Sequence, residues 1–394
     1  MWIQETVWSV IQSFSALRYL YIEPWFLQFS LTFKAFTTLE SISIDASACS
    51  EISWLYTSLS KLYASCPTLT SLAISDRSGH HPLHINNNNV DQIFLGGPNN
   101  IQPSRLRRLC LHNCFVRIDK ITLPHLRQLT SLELICMQHR YSGQDWDYYG
   151  YPRDIWSTFI GSGIQLEELV HNTISTSLID YLSSYSGLRK LELSVTPFAD
   201  AASSDEAATR FFNDVLSRHL ETLESLSLEA YYEGEWCFTS RNAGLISQCT
   251  KLNHLLMSIV PLRQEEEDDE VDTNVVANPN PNMVVSFFSS RGVSLDNNSY
   301  SSTPRLQKHV LDTVIQLPLM THLSLMTAYP ESQRHNWCGT GRRRHRHRSK
   351  DEVEKNVKRY RPLPSCQYLI EVRVGDTTFE GIRAANGRLR YVAV

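Results

Sequence analysis

The hexad Leu223-Glu-Ser-Leu-Ser-Leu228 reads L-x-x-L-x-L, and this phrase keeps returning along the chain. Clear copies are Leu17-Arg-Tyr-Leu-Tyr-Ile22, Leu39-Glu-Ser-Ile-Ser-Ile44, Leu69-Thr-Ser-Leu-Ala-Ile74, Leu106-Arg-Arg-Leu-Cys-Leu111 and Leu129-Thr-Ser-Leu-Glu-Leu134. Further copies are Leu188-Arg-Lys-Leu-Glu-Leu193, Leu252-Asn-His-Leu-Leu-Met257 and Met320-Thr-His-Leu-Ser-Leu325. Looser ones are Leu166-Glu-Glu-Leu-Val-His171, Leu369-Ile-Glu-Val-Arg-Val374 and Leu389-Arg-Tyr-Val-Ala-Val394. Alternating apolar residues point to one face of a short strand. One unit cannot bury that face alone, so the copies must stack.

Helical stretches precede many copies. Ile52, Leu55, Tyr56, Leu59, Leu62 and Tyr63 fall at helical spacing, and Pro67 closes that helix. Residues 152–160, 177–185 and 304–317 read the same way. The clearest helix runs from 205 to 220, with Ser204 or Asp205 as N-cap and Ala208, Phe211, Phe212, Val215, Leu216 and Leu220 inward. Helix, turn, strand in that order predicts an α/β leucine-rich-repeat solenoid: a right-handed horseshoe of irregular repeats, with a parallel concave sheet and convex helices. In Leu109-Cys-Leu-His-Asn-Cys114 the Asn or Cys sits where the strand turns, placed to bond turn backbone.

The reading divides the chain in three. Residues 1–262 are repeats behind an N-terminal helix, whose alternative is the back half of a truncated repeat. Residues 263–303, with Glu265-Glu-Glu-Asp-Asp-Glu270 and an Asn-Pro tract, are a disordered insertion. Residues 304–394 are C-terminal repeats with a basic loop at 341–350 and a charged helix from Lys350 to Arg361. Residues 76–103 form an irregular connection that Ile93-Phe-Leu95 pins to the body. The aromatic-rich stretch 140–151 is a loop folded on its neighbour or a contact patch.

The 394 residues carry 42% apolar and 20% charged side chains and a net charge of −4, which gives no global drive toward nucleic acid or anionic membrane. Nine cysteines without a C-x-x-C pair suit buried thiols in a reducing compartment. With no signal peptide and no apolar run of ~18 residues, cytosol or nucleus is expected, without a membrane span.

No catalytic motif is present, and neither enzymatic activity nor a cofactor is expected. His80, His81 and His84 read as a solvated loop rather than a metal site. Arg342, Arg343, Arg344, Arg346 and Arg348 form a basic patch: a solvated loop, a localisation signal, a nucleic-acid contact or a partner for the acidic block at 265–270. Only Trp337 accompanies it as a stacking ring, which disfavours nucleic acid. The informative surface is the concave face, where Arg108, His112, Glu133, Lys190, Glu192, Glu229, His322 and Arg373 must point away from the leucines, with Cys110, Ile135, Ser194, Ser227, Ser324, Met326 and Glu371 beside them. Mixed charges with isolated apolar groups suit a polypeptide ligand, and ordinary solvated sheet is the alternative.

Ile179-Asp-Tyr-Leu-Ser-Ser-Tyr-Ser-Gly-Leu-Arg-Lys-Leu191, Arg210-Phe-Phe-Asn-Asp-Val-Leu216, Glu233-Gly-Glu-Trp-Cys-Phe238 and Cys66-Pro-Thr-Leu-Thr-Ser-Leu72 resemble mushroom-type fungal proteins described as F-box or leucine-rich-repeat-like. The resemblance implies repeats that hold a substrate and an F-box that binds the adaptor of a cullin ubiquitin ligase. The residues ahead of Leu17 contain no Leu-Pro start, so a recognisable F-box is missing. The expected function is a protein-binding scaffold, in one version the substrate receptor of such a ligase. Alternatives are a free-standing interaction protein and a nucleic-acid-associated protein using the arginine run.

Overall fold

The computed structural model describes residues 2–23, 36–47, 53–76, 93–94, 105–114, 118, 120, 122–135, 155–195, 198, 200–260, 303–334, 341–360, 370–383 and 389–394. The expected insertion at 263–303, except Thr303, which begins a helix, the aromatic stretch 140–151 and the histidines at 80, 81 and 84 lie outside them.

The chain builds one thirteen-stranded sheet whose strands sit side by side in chain order. These are β1 (Tyr19–Ile22), β2 (Ser41–Asp45), β3 (Ser71–Ser75), β4 (Arg108–His112), β5 (Ser131–Ile135), β6 (Glu168–His171) and β7 (Lys190–Val195). They continue as β8 (Ser225–Ala230), β9 (His254–Ile259), β10 (His322–Thr327), β11 (Glu371–Val374), β12 (Thr377–Arg383) and β13 (Leu389–Ala393). Strands β1 to β11 pair in parallel, one for each of the first eleven hexads. The last hexad departs from expectation. Its strand β13 runs antiparallel to β12, which itself turns back antiparallel on β11 through Gly375 and Asp376. A hairpin needs only a tight turn, and the two residues between β11 and β12 allow nothing longer, whereas a parallel return needs a crossover of a dozen or more residues.

Register is uniform. Leu72, Leu109, Leu132, Leu169, Leu191, Leu226 and Leu255 stand opposite one another on successive strands. All are buried in a single core with the helix residues. Each lead-in carbonyl accepts two consecutive N–H groups from the next repeat: Thr130 O takes Glu167 N at 2.8 Å and Glu168 N at 3.0 Å, and Glu167 O takes Arg189 N at 2.7 Å and Lys190 N at 3.0 Å. A threonine just before the leading leucine adds a second tie. Thr38, Thr68 and Thr222 each donate Oγ1–H to the leading-leucine carbonyl of the preceding repeat, Leu17, Leu39 and Leu188, at 3.1, 2.9 and 2.8 Å. Asn113 sits at φ 55 and spans three repeats, its N–H donating to Ile135 O and its side-chain amide to Asp76 O. That bears out the turn role expected of it.

The helices cover the leucine face. They are α1 (Trp2–Gln12), α2 (Ser53–Ser65), α3 (Leu123–Leu126), α4 (Ile155–Ser162), α5 (Thr176–Ser183), α6 (Ala201–Arg210), α7 (Ser240–Ile246), α8 (Thr303–Val314) and α9 (Gly341–Arg359). The Trp8 ring of α1 packs edge-on against buried Phe36, which closes that end of the core. Ile93 and Phe94 are buried, as the pinning role requires. Helix α6 begins earlier than Ser204 or Asp205: its N-cap is Asp200, which accepts from Ser203 N at 2.7 Å. It runs on through a π-helical turn, Phe211–Leu216. The wider turn lets the adjacent pairs Phe211, Phe212 and Val215, Leu216 all reach the core. The stretch 341–350 is not a loop but the first half of α9. Arg and Lys are good helix formers, so a run of them need not be irregular. Across the long gap after β9, β10 still pairs directly with β9, Leu323 against Leu255.

Candidate functional site

The residues that alternate with the inward leucines form the other, open face of the sheet. They stay partly exposed on β4, β5 and β10 while the leucines between them are buried. Small hydrogen-bonded groups tie neighbours along this face. Ser131 Oγ donates to Glu168 Oε2 at 2.8 Å, Ser194 Oγ to Glu229 Oε2 at 3.4 Å, and Lys190 Nζ lies 3.8 Å from Glu192 Oε2.

Four of the expected face residues converge. His112 Nε2–H donates to Glu133 Oε1 at 2.8 Å, and Arg108 Nη2 lies 4.0 Å from Glu133 Oε2. Cys110 completes the group, its Sγ 3.4 Å from the same His112 nitrogen. The strand pairing causes this, since Cys110 faces Glu133 across β4 and β5 while His112 follows Cys110 by two residues on the same face. The hydrogen bond from His112 holds the Glu133 carboxyl below the usual carboxylate range, against the opposing effect of burial, with the His112 charge, Cys110 and Arg108 adding to it. The arrangement is not a nucleophile–base relay. A relay uses both imidazole nitrogens, one for the nucleophile and one for the orienting carboxylate. Here Sγ and the carboxylate approach the same nitrogen.

The other expected residues do not join this cluster. On a separate part of the face, His322 stacks obliquely with His254 at 6.0 Å and its Nε2 lies 4.0 Å from Glu371 Oε2. Burial pushes the His254 imidazole below its usual range, and the charges of His322 and Lys190 push the same way. Arg373 turns back to its own hairpin, donating Nε–H to Gly375 O at 2.9 Å. The side chains of Arg342, Arg343, Arg344, Arg346 and Arg348 lie outside the described residues, although their backbone is helical.

A second feature escaped the sequence reading. At the lead-in edge of β6 to β8, Arg189 binds Glu224 through two parallel bonds of 3.0 and 3.1 Å and approaches Glu167 at 3.8 Å. With Lys251 and Thr222 they line an open depression of about 390 Å³. The first x of each L-x-x-L marks this row, because it immediately precedes the strand. These side chains are 38–53% exposed, so the pairs contribute little to stability.

Two further groups, around Arg334 and around His171, were not singled out in the sequence as sites. Arg334 is buried, bonded to Glu331 Oε2 at 2.8 Å and to Phe198 O at 3.2 Å, with its guanidinium 4.8 Å above the Tyr232 ring. His171 occupies a leucine position on β6, between Leu134 and Leu193. Its Nδ1–H donates to Leu134 O at 2.9 Å, and burial lowers its pKa to about 4. Among the described residues, no helix is long and apolar enough to cross a membrane. No family model and no curated protein matches the chain.

Proposed function

We propose that the protein is a non-enzymatic leucine-rich-repeat scaffold that holds a polypeptide across the open face of its sheet. The observation that carries this reading is the face itself. Eleven parallel strands in chain order offer rows of partly exposed Arg, Lys, Glu, His and Ser, with Ile135, Val170, Leu256 and Met326 set among them. Charged groups at known intervals select register and orientation of a ligand, and isolated apolar groups anchor it. Among the described residues Cys66, Cys110, Cys114, Cys237 and Cys249 form no disulfide, which suits action in the cytosol or nucleus.

Reversing four open-face charges (Lys190→Glu, Glu192→Lys, Glu229→Lys, Arg373→Glu) tests the reading. Proteins captured by the wild-type chain should be lost by this variant and kept by Glu206→Lys, whose side chain is exposed on α6. Retention by the four-charge variant rejects the open face as the binding surface. The ligase version rests on the resemblance alone, and co-purification of a cullin adaptor is its test. Recovery of other partners with no adaptor leaves a free-standing interaction protein.

A further inference from the structure

We propose that Cys110, His112 and Glu133 form a three-ligand site for a divalent transition-metal ion of the zinc class, with a fourth position open toward solvent. This goes beyond the scaffold reading and does not depend on it.

Thiolate, imidazole and carboxylate are the three side-chain donors that such ions take, and three protein ligands with one open position is the pattern of a non-structural zinc site. The Sγ, Nε2 and carboxylate oxygen all lie within 4.8 Å of one another. In a tetrahedral site with metal–ligand bonds of about 2.0–2.3 Å, the S···N edge is about 3.5 Å and the N···O edge about 3.3 Å. The observed edges are 3.4 and 2.8 Å, so the first already fits and the second needs to open by a small rotation of the Glu133 side chain. Both donors meet at one imidazole nitrogen, and an ion seated between the three atoms would replace those two contacts together.

The surroundings favour rather than block occupancy. The group is half-buried on rigid, paired strands, so its ligands are positioned before any ion arrives. On β3 the residues facing Cys110 and His112 are the small Ala73 and Ser75. A nearby cation, Arg108, is directed at the other carboxylate oxygen, Oε2, leaving Oε1 to the site. Arg108 therefore acts as an orienting partner of the ligand.

Binding takes the Cys110 sulfur as thiolate and the His112 ring as neutral imidazole protonated on Nδ1, so the ion displaces the thiol proton, and a second proton where the ring carries one on each nitrogen. Affinity should accordingly fall as pH drops.

Cobalt(II) titration of the full chain under reducing conditions is the test. The site predicts visible bands of a tetrahedral centre and a near-ultraviolet thiolate-to-cobalt band, both abolished by zinc. Cys110→Ser should remove the thiolate band, and His112→Ala should weaken binding by at least about 100-fold, more than the 10–100-fold typical of an outer partner. Glu133→Gln serves as a third, near-isosteric variant if either of these alters the circular-dichroism spectrum. His322→Ala, on the other histidine group, should bind as wild type. Cobalt binding without a thiolate band, or bands that survive unchanged in Cys110→Ser and His112→Ala, would overturn the proposal.

Discussion

His171 stands where the repeat calls for leucine, and that exchange makes the fold acid-sensitive. Its ring is enclosed by Trp156, 5.6 Å away, and its Nδ1–H is committed to Leu134 O. Burial lowers its pKa from 6.5 to about 4. The unfolded chain therefore binds a proton in a range where the folded chain does not, and stability rises with pH across it. The contribution is neutral above the unfolded pKa and grows unfavourable as pH falls below 6.5. It levels off below the folded value of about 4. At about 1.36 kcal/mol per pKa unit, the cost is about 2 kcal/mol at pH 5 and about 3 kcal/mol when complete. His171→Leu restores the leucine ladder and should remove this loss. The substitution also forfeits the bond to Leu134 O and gains apolar burial, effects of about 1 kcal/mol each with opposite signs. The informative quantity is thus the pH difference within each protein. Guanidinium unfolding at pH 7.5 and pH 5, followed by tryptophan fluorescence, should show a pH loss about 2 kcal/mol smaller in His171→Leu. His125, His219 and His254, whose pKa values burial also lowers, contribute equally to both proteins and cancel. Equal pH losses in the two proteins would refute the argument that His171 is buried neutral.

Trp236→Ala should cost about 3–5 kcal/mol in chemical denaturation, because the ring is fully buried against Phe211 and its Nε1–H is bonded to Ser204 O at 2.9 Å. In the capping box of α7, Thr239→Ala should cost about 1 kcal/mol by the same assay. Asn242→Ala should cost more than Thr239→Ala, since buried Asn242 accepts from Thr239 N and also donates to Cys237 O at 2.8 Å. Gly234→Ala should lower the thermal midpoint clearly. A Cβ there would sit 2.7 Å from Asp205 Oδ1, which already accepts from Glu235 N, and φ is +152°. Unchanged melting would show that the Asp205 side chain moves aside freely.

The strands were legible because L-x-x-L-x-L states both the buried face and its period, and eleven of the copies became parallel strands in order. The open-face residues followed from the same alternation. Register between strands was readable too, because the aligned hexads put Cys110 and Glu133 at the same place of successive copies, and Cys110 does stand opposite Glu133. What the pattern could not supply was the side-chain conformations that bring His112 to Glu133. Strand β12 was invisible because Thr377-Thr-Phe-Glu-Gly-Ile-Arg383 buries only Phe379. Helix α7 was missed because its seven residues are too few to show a period. The start of α6 was misplaced because Asp200, Ser203, Ser204 and Asp205 are all capping residue types, and the apolar stripe that would choose among them begins only at Ala208. The Thr-Leu pairs at 38–39, 68–69 and 222–223 were a readable signal that went unused. A hydroxyl at that position reaches the previous repeat's carbonyl wherever it recurs.

The two edges of the sheet are built differently. A parallel strand with free N–H and C=O groups is a template for another strand. At one edge β1 carries Tyr19 and Tyr21, both more than 60% exposed, on its open side. At the other edge the chain reverses twice, so that β13 again runs in the direction of β1 to β11 but is reached through the hairpin strand β12. Helix α9 seals this end. Val353 and Val357 are buried, the Lys358 ammonium lies 5.7 Å from the Phe379 ring centre, and Tyr360 donates its hydroxyl proton to Asp312 Oδ1 at 2.6 Å. The same helix that carries the basic run in its first half therefore anchors the cap with its second half. Charge in the first turns and apolar contacts in the last follow directly from that division: residues before Lys350 hold five arginines, and those after it supply the valines and Tyr360 that face the core. The final hexad keeps both the alternation and the direction of the repeats, since two reversals restore the original sense, and it differs in being paired to an antiparallel strand. Its Leu389 and Tyr391 still bury on the core side, but the partner they zip onto is a hairpin rather than another repeat.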